Sequence, residues 1–154
     1  MSKQLTTEID IDAGPAEVWD VLSDLGAYRE WNPFIVAADG RPEVGQRLSL
    51  RMRPEGGRTG TFRPTVLESR PGRRLRWLGR VGFPGVLDAD HTFTIEARPG
   101  GGTRLRQEEE FRGVLAPFLA RSLDKGTLPA FHAMNRALKQ RVEDTAASGR
   151  ATGC

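Results

Sequence analysis

The sequence predicts an α+β domain: a strongly bent antiparallel sheet of about six to seven strands around a long C-terminal helix, with two short helices after the first strand. Three observations carry this. Through most of residues 34–112 apolar side chains recur at every second position, the period of half-buried strands. From 114 to 144 the apolar spacing changes to three and four, the period of a helix packed on one side. Near the N-terminus, AGPAEVWDVLSD (13–24) reads as a short amphipathic helix set between a strand and the rest of the sheet.

The elements follow in order. LTTEIDID (5–12) alternates, with Ile9 and Ile11 on one side, and predicts a strand. Pro15 suits a first helical position and Gly14 its N-cap. Ala16, Val18, Trp19, Leu22 and Leu25 then share a helical face, and Gly26 suits the stop. AYREW (27–31) adds one turn, with Asp24 expected to cap or hydrogen-bond the junction. Asn32-Pro33 ends it, because a residue before proline is pushed out of the helical region. Strands are predicted from Phe34, in QRLSLRMR (46–53), in GTFRPTVLES (60–69, with Pro64 demanding an edge or a bulge), in RLRWLGRV (74–81), in LDADHTFTIEA (87–97) and in TRLRQEEEFR (103–112). The stripe Leu119, Leu123, Leu128, Phe131, Met134, Leu138, Val142 marks the long helix, which Gly126 and Pro129 should kink or break. Residues 1–144 are expected as one domain, and TAASGRATGC (145–154) as a frayed, disordered tail.

Composition excludes several classes. The single cysteine, Cys154, allows no disulfide within the chain and no Cys-based zinc site. The N-terminal residues are polar and alternating rather than a signal peptide, and no apolar run approaches the roughly 18 residues that span a bilayer. A cytosolic protein without stable membrane insertion is therefore expected. The pI of about 9.6 invites nucleic acid as a partner, but the net charge is only +3. The arginines alternate with apolar residues along the strands, which makes them the solvent face of a sheet rather than a phosphate-binding patch. Neither His91 nor His132 has carboxylates spaced for a metal, no nucleophile motif occurs, and RPGGGT (98–103) joins two strands rather than cradling phosphate. No cofactor is implied.

Four segments, IDAGPAEVWDVLSDLGAYREWNPF (11–34), RLRWLG (74–79), DHTFTIEARPGGGTRLRQEEEFRG (90–113) and AMNRALKQRVE (133–143), together resemble the helix-grip (SRPBCC) superfamily. That superfamily includes START domains, the birch-pollen-allergen fold and polyketide cyclase/dehydrase-like proteins of the small single-domain bacterial type. The resemblance implies a pocket for a small hydrophobic or amphipathic molecule, of lipid, polyketide or isoprenoid type, between sheet and helix. It also implies that the two short helices close one end of the sheet. Trp19 and Trp31 would be plugs there, Tyr28 a rim residue with its hydroxyl toward water, and Trp31 or Phe34 a wall of the mouth.

The inward face carries the candidate site. If RPGGG (98–102) closes a hairpin, Ile95 pairs with Leu105, Phe93 with Gln107 and His91 with Glu109, which brings imidazole and carboxylate within reach. The pair could act as general acid and base, orient a ligand, or satisfy itself. The expected lining is Leu50, Met52, Trp77, His91, Phe93, Gln107, Glu109, Leu119, Leu123, Phe131 and Met134, with His132 on the surface. Three functions follow: a binding module for a small hydrophobic ligand, which the sparse catalytic apparatus favours; a cyclase or dehydratase using His91 and Glu109; or an interaction protein like the chaperone-activating branch of the superfamily. A monomer or weak homodimer is expected.

Overall fold

The structure, a computed structural model, describes residues 2–152. Cys154 and the end of the expected tail lie outside the described residues. Strand β1 (Ser2–Ile11) leads into helix α1 (Pro15–Ser23), with Gly14 at its N-cap and Pro15 in its first turn. A single 3-10 turn (Leu25–Ala27) joins it to the short helix α2 (Tyr28–Trp31). The Asp24 side chain makes no capping hydrogen bond. Asn32 holds the turn instead: its Oδ1 accepts from the backbone N–H of Phe34 at 2.9 Å and of Ile35 at 2.8 Å. Those bonds satisfy two donors at the point where helix becomes strand.

Eight strands follow the alternation. Beyond β1 they are β2 (Ile35–Asp39), β3 (Ser49–Met52), β4 (Gly60–Phe62), β5 (Thr65–Arg70), β6 (Arg74–Val81), β7 (Leu87–Ala97) and β8 (Thr103–Arg112). They form a five-stranded section ordered β1-β8-β7-β6-β5 and a three-stranded section ordered β2-β3-β4. The single bent sheet expected from sequence is thus divided. Pro64, which has no N–H to donate, falls at the division between β4 and β5. The sections stay joined by an Arg47–Thr65 bridge and by a bond from Leu48 N–H to the Pro64 carbonyl. Gly79 on β6 completes the closure. A Cβ placed there would lie 2.0 Å from the ring of Phe62, so only glycine admits that ring from the facing section.

The C-terminal segment is helical without interruption from Ala116 to Thr152, with one irregular turn inside it. Helix α3 (Ala116–Ser122) passes through a π-turn (Leu123–Thr127) into α4 (Leu128–Thr152). The irregularity expected from Gly126 and Pro129 is this π-turn, which contains Gly126 and ends two residues before Pro129. The helix continues through 145–152, the stretch expected as tail. Phe131, Met134, Leu138 and Val142 are completely buried against the sheet and α1, so α4 is the gripped element.

The aromatic cluster at 28–34 is arranged otherwise than expected. Tyr28 is completely buried and its hydroxyl donates to the Leu22 carbonyl, which locks α2 onto α1. Burial pushes the phenol well above its ordinary pKa. Trp19 and Trp31 are only half-buried, with Trp31 edge-on to Tyr28 at 5.0 Å. Tyrosine is therefore the plug and the tryptophans flank it. A phenol can be buried whole once its single O–H has a partner.

Candidate functional site: a cavity with a buried polar relay

The predicted hairpin register is the observed one: Ile95 faces Leu105, Phe93 faces Gln107 and His91 faces Glu109. These two strands, with β6, β3, β4 and the π-turn, line an open-mouthed cavity of about 270 Å³ near the N-terminal end of α4. Its walls are mostly apolar, formed by Phe34, Met52, Phe62, Leu87, Ala89 and Phe111. Glu109 is the carboxylate in its lining, and Arg58, Thr61 and Val81 stand exposed at its mouth. The loop beneath the mouth is tied to the π-turn by a 3.1 Å bond from Glu55 N–H to the Gly126 carbonyl.

Of the residues expected to line a pocket, the structure brings Met52 and Glu109 to the cavity wall. Leu50, Trp77, His91, Phe93, Gln107, Phe131 and Met134 are buried in the packed core behind it. Leu119 and Leu123 are half-buried on α3 and the π-turn, and His132 is exposed. The filled core explains the difference. Trp77 and Phe93 lie 5.4 Å apart edge-to-face, and Phe34 and Phe131 5.5 Å apart, so their rings occupy the volume that a larger cavity would need.

His91 sits within this aromatic packing. Its ring is stacked 5.2 Å from Trp77 and lies 4.7 Å from Phe93 and 5.1 Å from Phe131. Both imidazole nitrogens face polar atoms. Nε2 is 3.0 Å from Gln107 Oε1. Nδ1 faces Glu109 Oε2 at 3.4 Å without hydrogen-bond geometry. The contact is therefore a close approach and not yet a bond.

Behind Gln107 the polar chain continues. Its Nε2 donates to Asn135 Oδ1 at 2.7 Å and reaches the Phe131 carbonyl at 3.5 Å. Asn135 Nδ2 donates to Thr7 Oγ1 at 2.8 Å, and the Thr7 hydroxyl donates to the Gln107 carbonyl at 3.3 Å. Every member is buried. A buried polar group without a partner costs about 1–3 kcal/mol, and here each finds one in turn.

Sequence reasoning missed Asn135 and Thr7. Their signals were present: Asn135 stands four residues after Phe131 on the inward stripe, and Thr7 shares the strand face of Leu5 and Ile9. Neither pattern says that the two meet Gln107. Of the cavity wall, Phe34 was anticipated as a mouth residue, whereas Phe62, Leu87 and Phe111 come from strand ends that periodicity alone does not bring together.

A bent antiparallel sheet gripping one long terminal helix, with two short helices across one end and a cavity beside the helix, defines the helix-grip class. Within it, the chain belongs to the family described as polyketide cyclase/dehydrase and lipid transport, whose sequence model matches residues 2–143. No curated protein matches it significantly. Among solved structures, it is similar to the Zhui aromatase/cyclase from Streptomyces at 19% identity and a TM-score of 0.75, covering 93% of this chain and 94% of that one. A START superfamily protein from Mycobacterium smegmatis is similar at 20% identity and a TM-score of 0.70, covering 92% and 98%. A protein from Mesorhizobium loti is similar at 22% identity and a TM-score of 0.71, covering 93% and 98%. These likenesses concern the fold. No helix among the described residues is long and apolar enough to cross a membrane.

Proposed function

We propose that this protein binds a small hydrophobic or amphipathic molecule in the cavity beside α4, with the polar end of the ligand at Glu109. The observation that carries the reading is the cavity itself: apolar walls around a single carboxylate, open at one end. Its volume of about 270 Å³ lies just below the range of roughly 300–1,000 Å³ typical of small-molecule sites. That favours one or two fused rings or a short chain over a whole phospholipid. Phe83, Val114 and Phe118 are exposed on segments that continue the cavity-lining strands, a surface across which an apolar ligand can approach.

Native mass spectrometry of freshly purified protein tests this, followed by uptake of 2-naphthol monitored by chemical-shift changes. Ala89→Phe, which fills the cavity, is expected to abolish uptake while the remaining amide spectrum stays folded. An unliganded protein that takes up no one- or two-ring compound would refute the proposal.

A second reading rests on Glu109, which joins the cavity to His91. It is a cyclase or dehydratase in which the pair supplies acid and base. Turnover abolished by Glu109→Gln, with ligand uptake retained, would separate it from simple binding.

A further inference from the structure

We infer that the relay behind His91 dictates its tautomer, so that His91 and Glu109 hold one proton between them and present it at the cavity wall. The ligand half of this inference rests on the binding proposal above. The proton half rests on the relay alone.

The direction of the relay is set at two backbone carbonyls, which can only accept. The Thr7 hydroxyl donates to the Gln107 carbonyl at 3.3 Å, and its oxygen accepts from Asn135 Nδ2 at 2.8 Å. That turns the Asn135 Oδ1 toward Gln107, whose amide nitrogen must then donate to it. The Phe131 carbonyl, 3.5 Å away on the same side, is compatible with the same orientation. Gln107 is left with only Oε1 to offer His91, so Nε2 carries a hydrogen.

The consequence falls on the other nitrogen. In a neutral imidazole with hydrogen on Nε2, Nδ1 is a bare acceptor. It faces Glu109 Oε2 at 3.4 Å, with His91 completely buried and Glu109 3% exposed. An ionised carboxylate opposite that lone pair would set two acceptors face to face. One proton between them removes the conflict, either as a carboxyl O–H donating to Nδ1 or as an imidazolium N–H donating to the carboxylate. The two forms differ by the transfer of that proton across the contact. The net charge of the pair is zero in both, and no other group gains or loses a proton. Trp77, Phe93 and Phe131, packed on the ring, contribute no titratable group, and the charged neighbour across the cavity is Arg58 at its mouth.

In this arrangement Glu109 is the group that touches ligand. His91, Gln107, Asn135 and Thr7 are positioning residues. A net-neutral pair at the cavity floor suits a ligand hydroxyl or carbonyl, which can exchange a hydrogen bond with Glu109 in either form, better than an ammonium or a carboxylate.

The test is ¹⁵N NMR of the histidine side chains at pH 7. The wild-type His91 is expected to show a protonated, pyrrole-type Nε2 and an Nδ1 that is either protonated or hydrogen-bonded, the 3.4 Å contact closing to bonding distance in solution. A pyridine-type Nε2, or an Nδ1 with the shift of a free lone pair, would overturn the shared proton. Glu109→Gln supplies an amide donor to Nδ1. It should retain the Nε2–H tautomer while Nδ1 becomes a simple acceptor. Thr7→Val, which removes one anchor of the relay at nearly constant volume, should lower the population of that tautomer. If the tautomer is unchanged in Thr7→Val, the hydroxyl is not part of what sets it and the relay argument fails. Addition of 2-naphthol should move the Nδ1 resonance in the wild type and not in Glu109→Gln. Absence of any naphthol binding overturns the ligand half together with the binding proposal. The wild-type nitrogen pattern and the Thr7→Val tautomer decide the proton half without any ligand.

Discussion

The two faces of β7 and β8 carry similar chemistry in opposite surroundings. On the outer face Asp90 receives two bonds from Arg76, at 2.8 and 2.6 Å, and one from Arg112 at 3.2 Å, while Arg104 reaches Asp10 and Arg106 reaches Glu8. On the inner face His91 meets Gln107 and Glu109, and Gln107 meets Asn135. At the exposed outer pairs, such as Arg104 with Asp10 and Arg106 with Glu8, water takes over a bond that is lost, so a broken pair costs little, whereas Asp90 is itself buried beneath its arginines. Inside, nothing replaces a partner, so the relay is complete or costly. Arg76, Arg104, Arg106 and Arg112 are taken up by acids across this outer ladder of strands.

The sharpest way to break the comparison is Gln107→Leu. It leaves His91 Nε2 and the Asn135 amide unpaired in the core and is expected to cost about 4 kcal/mol, two buried groups at 1–3 kcal/mol each, in urea unfolding. Next is Gly79→Val, which drives a side chain into the Phe62 ring. It should cost about 1–3 kcal/mol as overpacking, and it should weaken naphthol uptake because Phe62 also walls the cavity.

Tyr28 extends the inner-face rule to pH. Its buried phenol keeps its proton well above the ordinary value of about 10, whereas the unfolded chain releases it there. The native state therefore binds the extra proton. Stability is whole below about pH 10 and should fall by about 1.4 kcal/mol per further pH unit. Tyr28 is the single tyrosine of the chain, so tyrosinate absorbance should appear only as the protein unfolds.

On the outer face the effects shrink. Arg76→Gln removes the bidentate partner of a mostly buried Asp90 but leaves Arg112, and should cost about 2 kcal/mol. Arg104→Gln should leave the thermal midpoint nearly unchanged at neutral pH. Its hydrogen bond holds the Asp10 carboxyl below its usual pKa, and whatever that contributes is present at neutral pH and fades as acid protonates Asp10. An Arg104→Gln loss as large as that of Gln107→Leu would contradict the contrast between the faces.

Much of this was legible in the residues. Alternation placed His91, Phe93, Gln107 and Glu109 on one face, and the RPGGG turn set a hairpin register that pairs His91 with Glu109, because hairpin pairing is local and the period of a strand is two. The helical stripe identified Phe131, Met134, Leu138 and Val142 as the buried side of α4 for the same kind of reason. The burial of Tyr28 rather than Trp31 was not legible. It depends on a carbonyl at Leu22 being within reach of the phenol once α1 and α2 have folded together. Nor did alternation separate residues beside a cavity from residues in a filled core, since both face inward.

Local periodicity and turn chemistry thus determined the elements, their buried faces and the His91–Glu109 pairing from the sequence by itself. Tertiary structure decided the division of the sheet at Pro64, the meeting of Thr7, Gln107 and Asn135 from three distant segments, and which inward side chains touch empty space. Those outcomes depend on how curved surfaces fit together across long sequence separations, and that fit is a property of packed volume which no spacing along the chain encodes.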